Sequence, residues 1–357
     1  MTKRVDRESS CIQWRRSATA EEVVLAYLQQ GRRVFLFTYA EPSVDLTEDQ
    51  VAQLQRPAFA YMSGKLVPWD QATLHIGCEA VTRGRNVFEG LKGYWQPDGQ
   101  FKIAMLRQHY ERLRRSARLL HIPCEYSFDD YRDAVDQLIG VLAVPDRDMW
   151  VRSTLFVTEG HWGEDTVADL VLTAYHQDKG TPRPIQIGVS TWRRSNDTAM
   201  PARIKTGSNY QVSLLARIEG KSRGYDDMVL LNQSGRVAEA TASCLLMVRN
   251  DTIVSPPATE GALESITLDI VESLAQSLGI KFRQRPIDRT ELLVADELGI
   301  CGTIHEVTLV TKIDGYALSE KSPILGAIQQ RYLEAARGIN PHPALDLTVL
   351  PSVKGPR

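Results

Sequence analysis

Apolar residues recur at helical or alternating spacing through most of the chain after residue 57, and this pattern predicts its elements. Two segments have the helical spacing, LRQHYERLRRSARLLHI and SFDDYRDAVDQLIGVLAV, and Ser127 is the expected N-cap of the second. Strands are predicted for VFEGLKGYW and FKIAML on either side of Asp98-Gly99, a dipeptide typical of hairpin turns. MWVRSTLFVTEG and ADLVLTAYH add two more strands, so this part of the chain mixes helices and strands.

A polar segment with glycine and proline, residues 177–184, separates two predicted strands and is the best candidate for a linker. Beyond it, strands turn at Ser234-Gly235 and Asn250-Asp251, and a helix through ESITLDIVESLAQSLGI ends at Gly279. This second part is rich in strands. We predict four parts: an N-terminal extension (1–57), a small α/β domain (58–176), the linker (177–184) and a large domain (185–357).

The composition is that of an ordinary folded protein, with 357 residues, of which 43% are hydrophobic and 24% charged. A net charge of -2 gives no electrostatic reason to bind nucleic acid or an anionic membrane. No apolar run reaches the length of a membrane span, and we expect no signal peptide. The five cysteines form no C-x-x-C pair and the seven histidines are dispersed. We therefore expect a cytoplasmic protein without a metal site.

The segment RIKTGSNYQVSLLARIEG places a lysine, Lys205, just before a helical run that starts at Tyr210. Most lysines are solvated surface residues. A lysine at the mouth of a strand–turn–helix can instead form a Schiff base with the aldehyde of a cofactor such as pyridoxal phosphate. The rest of the chain must then supply the cofactor's other contacts.

This cofactor also needs a carboxylate at its ring nitrogen and amide groups at a helix start for its phosphate. Glu239 lies in GRVAEATASCLLM, among small and apolar residues where an unpaired carboxylate is costly, although a strand-edge glutamate facing water is an equal alternative. Ile266 and Thr267 fall in the first turn of a predicted helix, whose amides have no internal partner, but an ordinary capped helix has the same pattern. Thr303 in CGTIHE lies in a second possible cradle.

Seven segments together resemble the class IV, branched-chain-aminotransferase-like family of pyridoxal-phosphate enzymes. They are VFEGLKGY, YERLRRSA, IKTGSNY, GRVAE, SPPATEGALESIT, RTELLVADEL and CGTIHEVT, and the resemblance runs from about Phe59 to about Arg337. It implies the α+β fold called fold type IV, with a smaller N-terminal α/β domain and a larger strand-rich pseudo-barrel. It also implies pyridoxal 5′-phosphate as cofactor, amino acid and 2-oxo acid substrates, and a homodimer whose active site is closed by a loop of the neighbouring subunit.

The resemblance implies roles for individual residues. Lys205 matches the catalytic Schiff-base lysine, which also carries the proton, and Glu239 matches the carboxylate at the ring nitrogen. Tyr210 matches the tyrosine that hydrogen-bonds the cofactor ring oxygen. Arg112 matches the phosphate-binding arginine, although it could also be one of several arginines on a solvated helix face. The other matches are Ile266, Thr267 and Thr303 at the phosphate, and Phe88 and Gly90 in the wall of the substrate pocket.

Some positions depart from the family pattern and bear on the substrate. An aromatic position of the pocket is Arg83 here, and Arg152 and Lys92 also could face the substrate side chain, with Ile304 as a further candidate contact. An arginine in a closed pocket pairs best with a carboxylate. We therefore expect a polar or acidic side chain to be preferred over leucine, with glutamate a natural donor. The alternative is that Arg83 and Lys92 point to solvent at the pocket rim.

The leading interpretation is a transaminase that works in two half-reactions. An amino acid gives its amino group to the cofactor, and a 2-oxo acid then takes it. The alternatives are a lyase for an aminodeoxychorismate-like substrate, a D-amino-acid transaminase, and a non-catalytic binding protein that has kept the fold.

Overall fold

The computed structural model describes residues 56–319 and 321–353. Residues 1–55 of the predicted N-terminal extension lie outside the described residues. Within them, no helix has the length and apolar character needed to cross a lipid bilayer.

Most of the strands and helices follow the predicted order, but the short helix at Glu79–Thr82 and the strand at Leu347–Val349 were not predicted. The strands are β1 (Phe59–Met62), β2 (Lys65–Pro68), β3 (Asn86–Trp95), β4 (Phe101–Ala104), β5 (Asp148–His161), β6 (Glu164–Gln177), β7 (Ile185–Arg193), β8 (Asp227–Leu231), β9 (Val237–Ala240), β10 (Cys244–Arg249), β11 (Thr252–Ser255), β12 (Lys281–Gln284), β13 (Glu297–Gly302), β14 (Glu306–Ile313), β15 (Tyr316–Ala317) and β16 (Leu347–Val349). The α-helices are α1 (Glu79–Thr82), α2 (Leu106–Leu119), α3 (Phe128–Leu142), α4 (Tyr210–Ser222), α5 (Ile266–Ser277) and α6 (Pro323–Ala336).

The first sheet is antiparallel, with the strand order β16-β4-β3-β5-β6-β1-β2. Its core contains Leu91 and Val151 from the strands, Leu113 from α2 and Leu138 from α3, all buried. Each such side chain contributes about 1.5–3 kcal/mol when it leaves water. Because this core holds α2 in place, it also fixes Arg112, the residue beside Leu113.

The second sheet is mixed and curled, with the order β12-β11-β10-β13-β14-β7-β8-β9 and β15 beside β14. Strand β10 is buried on both faces: Leu246 and Val248 belong to the core that includes α5 and α6, and Leu245 and Met247 to the core inside the curl. The α+β class and the strand-rich second part are therefore confirmed.

Two crossovers in the second sheet place the candidate residues. β7 and β8 are parallel and are joined through α4, and β11 and β12 are parallel and are joined through α5. Parallel neighbours need such a long connection, and ligands often bind where it leaves the strand. Lys205 lies in the first connection, and Ile266 begins the helix of the second.

Local signals in the sequence agree with the structure at several turns and caps. Ser127 caps α3 in a reciprocal capping box with Asp130. Asn250 and Asp251, at the predicted turn, both have positive φ between β10 and β11. The segment DRTELLVADEL forms a 3₁₀ helix at Arg289–Val294.

The predicted linker connects the two sheets, since residues 178–184 lie between β6 and β7. The first sheet nevertheless also takes in β16, which pairs with β4 from the far end of the chain. The division into a small domain, a linker and a large domain stays a prediction.

Candidate active site

A narrow cavity lies between α2 and the second sheet, with an empty volume of about 360 Å³. Its wall brings together all seven residues that the sequence assigns to the cofactor. They are Arg112, Lys205, Tyr210, Glu239, Ile266, Thr267 and Thr303.

Lys205 is held at this cavity through its backbone and its side chain. Its N–H donates to Ser116 Oγ at 3.1 Å, and its carbonyl accepts the Phe88 N–H at 2.9 Å. Its Nζ donates to the Tyr210 hydroxyl at 2.7 Å. The amine lies 5.0 Å from the centroid of the Phe88 ring and 4.9 Å from that of Tyr210. Lys205 is therefore not a solvated surface lysine.

Glu239 lies on β9, and both of its carboxylate oxygens are bound. Oε1 pairs with Arg194 Nη2 at 3.0 Å, and Oε2 accepts the Leu263 N–H at 3.1 Å. The residue is 7% exposed and lines the cavity. Of the two alternatives that the sequence left open, the structure favours the pocket over a strand edge in water.

Arg112 is buried and belongs to a charged cluster rather than to the solvated face of α2. Its Nε and Nη2 donate to Glu89 at 2.7 and 2.8 Å, and its Nη1 donates to the carbonyl of Glu264 at 2.8 Å. His109, one helical turn before Arg112, lies 2.7 Å from the same Glu89 carboxylate. Burial alone would raise the pKa of Glu89, but Arg112 and His109 together hold it well below its ordinary value.

The start of α5 faces the same cavity. Ser265 caps the helix, and its Oγ accepts the Leu268 N–H at 3.2 Å. Ile266 and Thr267 form the first turn, where backbone N–H groups have no partner within the helix. Thr303 adds a hydroxyl from the turn between β13 and β14. A helix start together with an arginine and hydroxyl groups is the donor set that a phosphate needs.

The cavity fits pyridoxal phosphate at each of its reactive ends. The amine of Lys205, the buried carboxylate of Glu239 and a set of hydrogen-bond donors suited to a phosphate group line the same cavity. Ser243 also lines this space, and its buried Oγ has no hydrogen-bond partner among the described residues. Buried hydroxyl groups are normally hydrogen-bonded, so those without a partner inside a cavity indicate a polar ligand.

Two of the predicted substrate residues lie beside Lys205. Phe88 is buried, with its ring centroid 5.0 Å from that of Tyr210. The guanidinium carbon of Arg152 lies 3.6 Å from the Phe88 centroid. Ile304 is 40% exposed and lines a wider open cleft next to the cavity.

The other two cationic candidates are already paired. Arg83 lies 3.7 Å from the Glu79 carboxylate, and its guanidinium carbon is 4.6 Å from the centroid of a Trp162 ring. Lys92 Nζ lies 2.9 Å from Glu306 Oε1, and its side chain is only 8% exposed. Lys92 is therefore not a solvated residue at the rim of the pocket. The positive charges of Arg83 and Lys92 are both balanced by carboxylates of the same chain.

Three charged residues that the sequence analysis missed contact the predicted ones. They are Glu89, His109 and Arg194. A carboxylate inside the apolar run VFEGL and a histidine one turn before Arg112 were signals for the first two. Adjacent arginines at the end of a strand must point to opposite faces, which was the signal for Arg194.

Known proteins resemble the chain over most of its length. Residues 86–313 match the family model described as amino-transferase class IV. The probable branched-chain-amino-acid aminotransferase of Aquifex aeolicus is 31% identical over 289 residues, which cover 78% of this chain and 93% of that protein. The solved branched-chain amino acid aminotransferase of Thermobaculum terrenum in its PLP form has 30% identity and a TM-score of 0.75, covering 82% of this chain and 98% of that one.

A further solved structure contains an amino acid joined to the cofactor. It is the T.th. branched-chain amino acid aminotransferase complexed with N-(5′-phosphopyridoxyl)-L-glutamate, with 26% identity, a TM-score of 0.76 and coverage of 82% of this chain and 98% of that one.

Fold, cavity and comparisons together define a pyridoxal-phosphate-dependent enzyme of fold type IV. The chain belongs to the class IV aminotransferase family. Its reaction is transamination between an amino acid and a 2-oxo acid, as the sequence predicted. The comparisons do not favour a lyase, a D-amino-acid transaminase or a non-catalytic binding protein.

The buried His109 makes stability depend on pH. Burial lowers its pKa below the ordinary 6.5, and Arg112 and Lys205 lower it further, against the opposing effect of Glu89. Between this lowered pKa and about pH 6.5, the unfolded chain therefore binds a proton that the folded chain does not. The free energy of unfolding should fall as pH drops, by up to about 1.4 kcal/mol per pH unit from this group.

His109→Gln removes this proton uptake and should flatten the pH dependence between pH 7.5 and 5.5. The measurement is chemical denaturation at a fixed cofactor concentration. His121→Gln, at an exposed position, is the control and should keep the wild-type slope. An unchanged slope in His109→Gln would contradict the assignment.

Proposed function

We propose that this enzyme uses glutamate in one half-reaction, with Lys205 as the catalytic residue that holds the cofactor aldehyde and moves the proton. The contact of Lys205 Nζ with the Tyr210 hydroxyl inside the cavity is the observation that carries the role of Lys205. Pyridoxal phosphate, when bound, supplies an aldehyde for the amino group and a ring that takes up negative charge from the substrate's α-carbon.

Lys205 then acts as base and acid at the substrate. With the cofactor bound, the Nζ of Lys205 would accept the proton from the substrate's α-carbon as a base and would donate it, as an acid, to the carbon of the cofactor's aldehyde group. Tyr210 limits the path of the amine by holding Nζ at 2.7 Å, and the packing of Phe88 against Tyr210 keeps both rings in place. A short path for one amine favours transfer of the proton over its loss to water.

The remaining cavity residues bind and orient. Glu239 would stand opposite the ring nitrogen with a charge that keeps this nitrogen protonated. Arg112 would hold the phosphate with N–H groups not used by Glu89, together with Thr303 and the first turn of α5, Ile266 and Thr267.

Arg152 is the residue best placed to determine substrate specificity. Its position on β5 pairs with Gly90 of β3, and its side chain lies over Phe88 beside the cavity. Within the described residues it has no carboxylate at ion-pair distance, unlike Arg83 and Lys92. Burial lowers the pKa of Arg152, which marks a desolvated guanidinium that a carboxylate would stabilise.

The glutamate adduct of the T.th. enzyme supports glutamate as one substrate. Because several relatives are named branched-chain aminotransferases, a branched-chain amino acid is the second candidate, for the other half-reaction. We propose that glutamate is preferred over leucine in at least one of the two half-reactions.

We also propose a homodimer in which a loop of one subunit closes the site of the other. The family resemblance supports it, as does an exposed apolar patch formed by Ile76, Val81 and Trp162, which are 78%, 50% and 76% exposed. Trp162 lies close to α1, since its N–H donates to the Glu79 carboxylate at 2.8 Å. Grouped apolar side chains on a surface are typical of interfaces.

A cytoplasmic location is part of the same proposal. Its support is that Cys78, Cys124, Cys244 and Cys301 are free thiols, and two of them, Cys244 and Cys301, are direct neighbours on β10 and β13. Neighbouring cysteines remain thiols in a reducing compartment.

Reduction with borohydride should attach the cofactor to Lys205. Peptide mapping by mass spectrometry locates the label, and Lys205→Ala should lose both the label and turnover while its thermal unfolding stays cooperative. Lys221→Ala, at an exposed position of α4, is the control and should keep both. Label on another lysine in the wild type would reject the role of Lys205.

Arg152→Met should lower kcat/KM for glutamate by roughly 10- to 100-fold, the cost of losing a hydrogen bond to a charged group. For leucine the change should stay within about threefold, because the lost partner is not used. Arg83→Met is the control, with small effects on both substrates. Leucine as the better wild-type substrate, with equal losses for both substrates in Arg152→Met, would count against the glutamate proposal.

Light scattering at micromolar concentration should give twice the mass of the chain. Trp162→Asp should shift the protein toward monomer and lower activity with it, since a buried charge at an interface is costly. Ile339→Asp changes a side chain that is equally apolar and 68% exposed but outside the patch, and should leave the mass unchanged. A fully active wild-type monomer would refute the dimer.

A further inference from the structure

We propose that Arg194 is a positioning residue for transamination, which holds the Glu239 carboxylate ionised and in a fixed orientation. The inference rests on the proposed role of Glu239 at the ring nitrogen. Arg194 is not among the cofactor or substrate residues predicted from the sequence, and it does not line the cavity. It therefore would act only through Glu239.

The guanidinium of Arg194 is buried and joins three segments around the cavity. Its side chain is 4% exposed, and its Nη2 lies 3.0 Å from Glu239 Oε1. Its Nε donates to the carbonyl of Gly261 at 3.2 Å, and its Nη1 donates to the carbonyl of Asn209 at 3.3 Å. Asn209 directly precedes Tyr210, so one side chain links the carboxylate to the residue that contacts Lys205.

The backbone of Arg194 is fixed as well. It follows β7 directly, and its N–H donates to the carbonyl of Leu231 at 2.9 Å. Because both the backbone and the guanidinium of Arg194 are held by hydrogen bonds, the paired Glu239 carboxylate has little freedom to rotate. Since the second oxygen of Glu239 accepts the Leu263 N–H, the plane of the carboxylate is fixed at both oxygens, and each oxygen keeps a further lone pair for a ring N–H.

The charge of Arg194 matters more than its shape. A buried carboxylate without a cationic partner favours its neutral form. A neutral acid does not stabilise the proton on the ring nitrogen. Without this proton the ring stabilises the negative charge that develops at the substrate's α-carbon less well. Within the described part of the chain, Arg194 is the one cation at ion-pair distance from Glu239, and a guanidinium keeps its proton at every working pH.

The test compares Arg194→Lys, which keeps the charge, with Arg194→Gln, which is neutral but can still donate to the carbonyl groups. Each protein is loaded with pyridoxal phosphate labelled with ¹⁵N in the ring, and the ¹⁵N chemical shift reports whether the ring nitrogen is protonated. We expect the protonated shift in the wild type and in Arg194→Lys, and a shift toward the neutral form in Arg194→Gln. Turnover of Arg194→Gln should fall roughly 10- to 100-fold.

A double variant separates positioning from general structural damage. If Arg194 acts through Glu239, then Arg194→Gln combined with Glu239→Gln should be no slower than Glu239→Gln alone, because the two changes remove one interaction. Arg193→Gln is the matched control: this neighbour is exposed and donates to the carbonyl of Asn232 rather than to a carboxylate. It should leave the ¹⁵N shift and the rate unchanged.

The same ¹⁵N shift in Arg194→Lys and Arg194→Gln, or additive losses in the double variant, would overturn the proposal. If Arg194→Gln does not fold, the wild type decides by itself: a ring nitrogen that loses its proton between pH 6 and 9 would overturn it, and one that stays protonated would support it. A Glu239→Gln variant with an unchanged shift would instead reject the proposed role of Glu239, which is a separate result.

Discussion

Charge in a space that excludes water has to be balanced, and this constraint organises the region around the cavity. Glu89 is paired with Arg112, Glu239 with Arg194, and Glu306 with Lys92. In each pair the two partners come from different elements, so the pairs join segments that are distant in sequence. Removing one partner of such a pair costs about 3–5 kcal/mol, since it leaves a buried charge uncompensated. Arg152 is a half-buried cation without such a partner among the described residues, and this supports its proposed contact with a charged substrate.

The two crossovers of the second sheet explain why the reactive groups converge. Lys205 precedes α4 and Ile266 begins α5, and each helix returns the chain to a parallel strand. Helix α2, which packs on the first sheet, contributes Arg112 to the opposite wall. The hydrogen bonds of the Lys205 backbone to Phe88 and Ser116 connect the two walls directly beside the amine. The positions of these connections thus bring the residues of the cavity together.

Sequence reasoning succeeded where a signal is local. The cap at Ser127 and the turn at Asn250 depend on a few neighbouring residues, and the order of segments around Lys205 was enough to identify the family. It was weaker where a role depends on partners distant in the chain. Arg83 and Lys92 looked like free pocket cations, but their carboxylates are set by tertiary packing. Arg194 escaped notice because its partner, Glu239, lies on a different strand of the curled sheet.

The pairing of β16 with β4 has a consequence for how the chain reaches this structure. Thr348 lies opposite Ile103, and the N–H of Met105 donates to the carbonyl of Asp346. The whole second sheet is therefore translated before the edge strand of the first sheet exists. Contacts between residues so distant in sequence form late in folding. Until they form, the unpaired edge of β4 is prone to pair with strands of other chains. Completion of the first sheet, rather than of the catalytic one, should therefore be the slow step of biosynthetic folding.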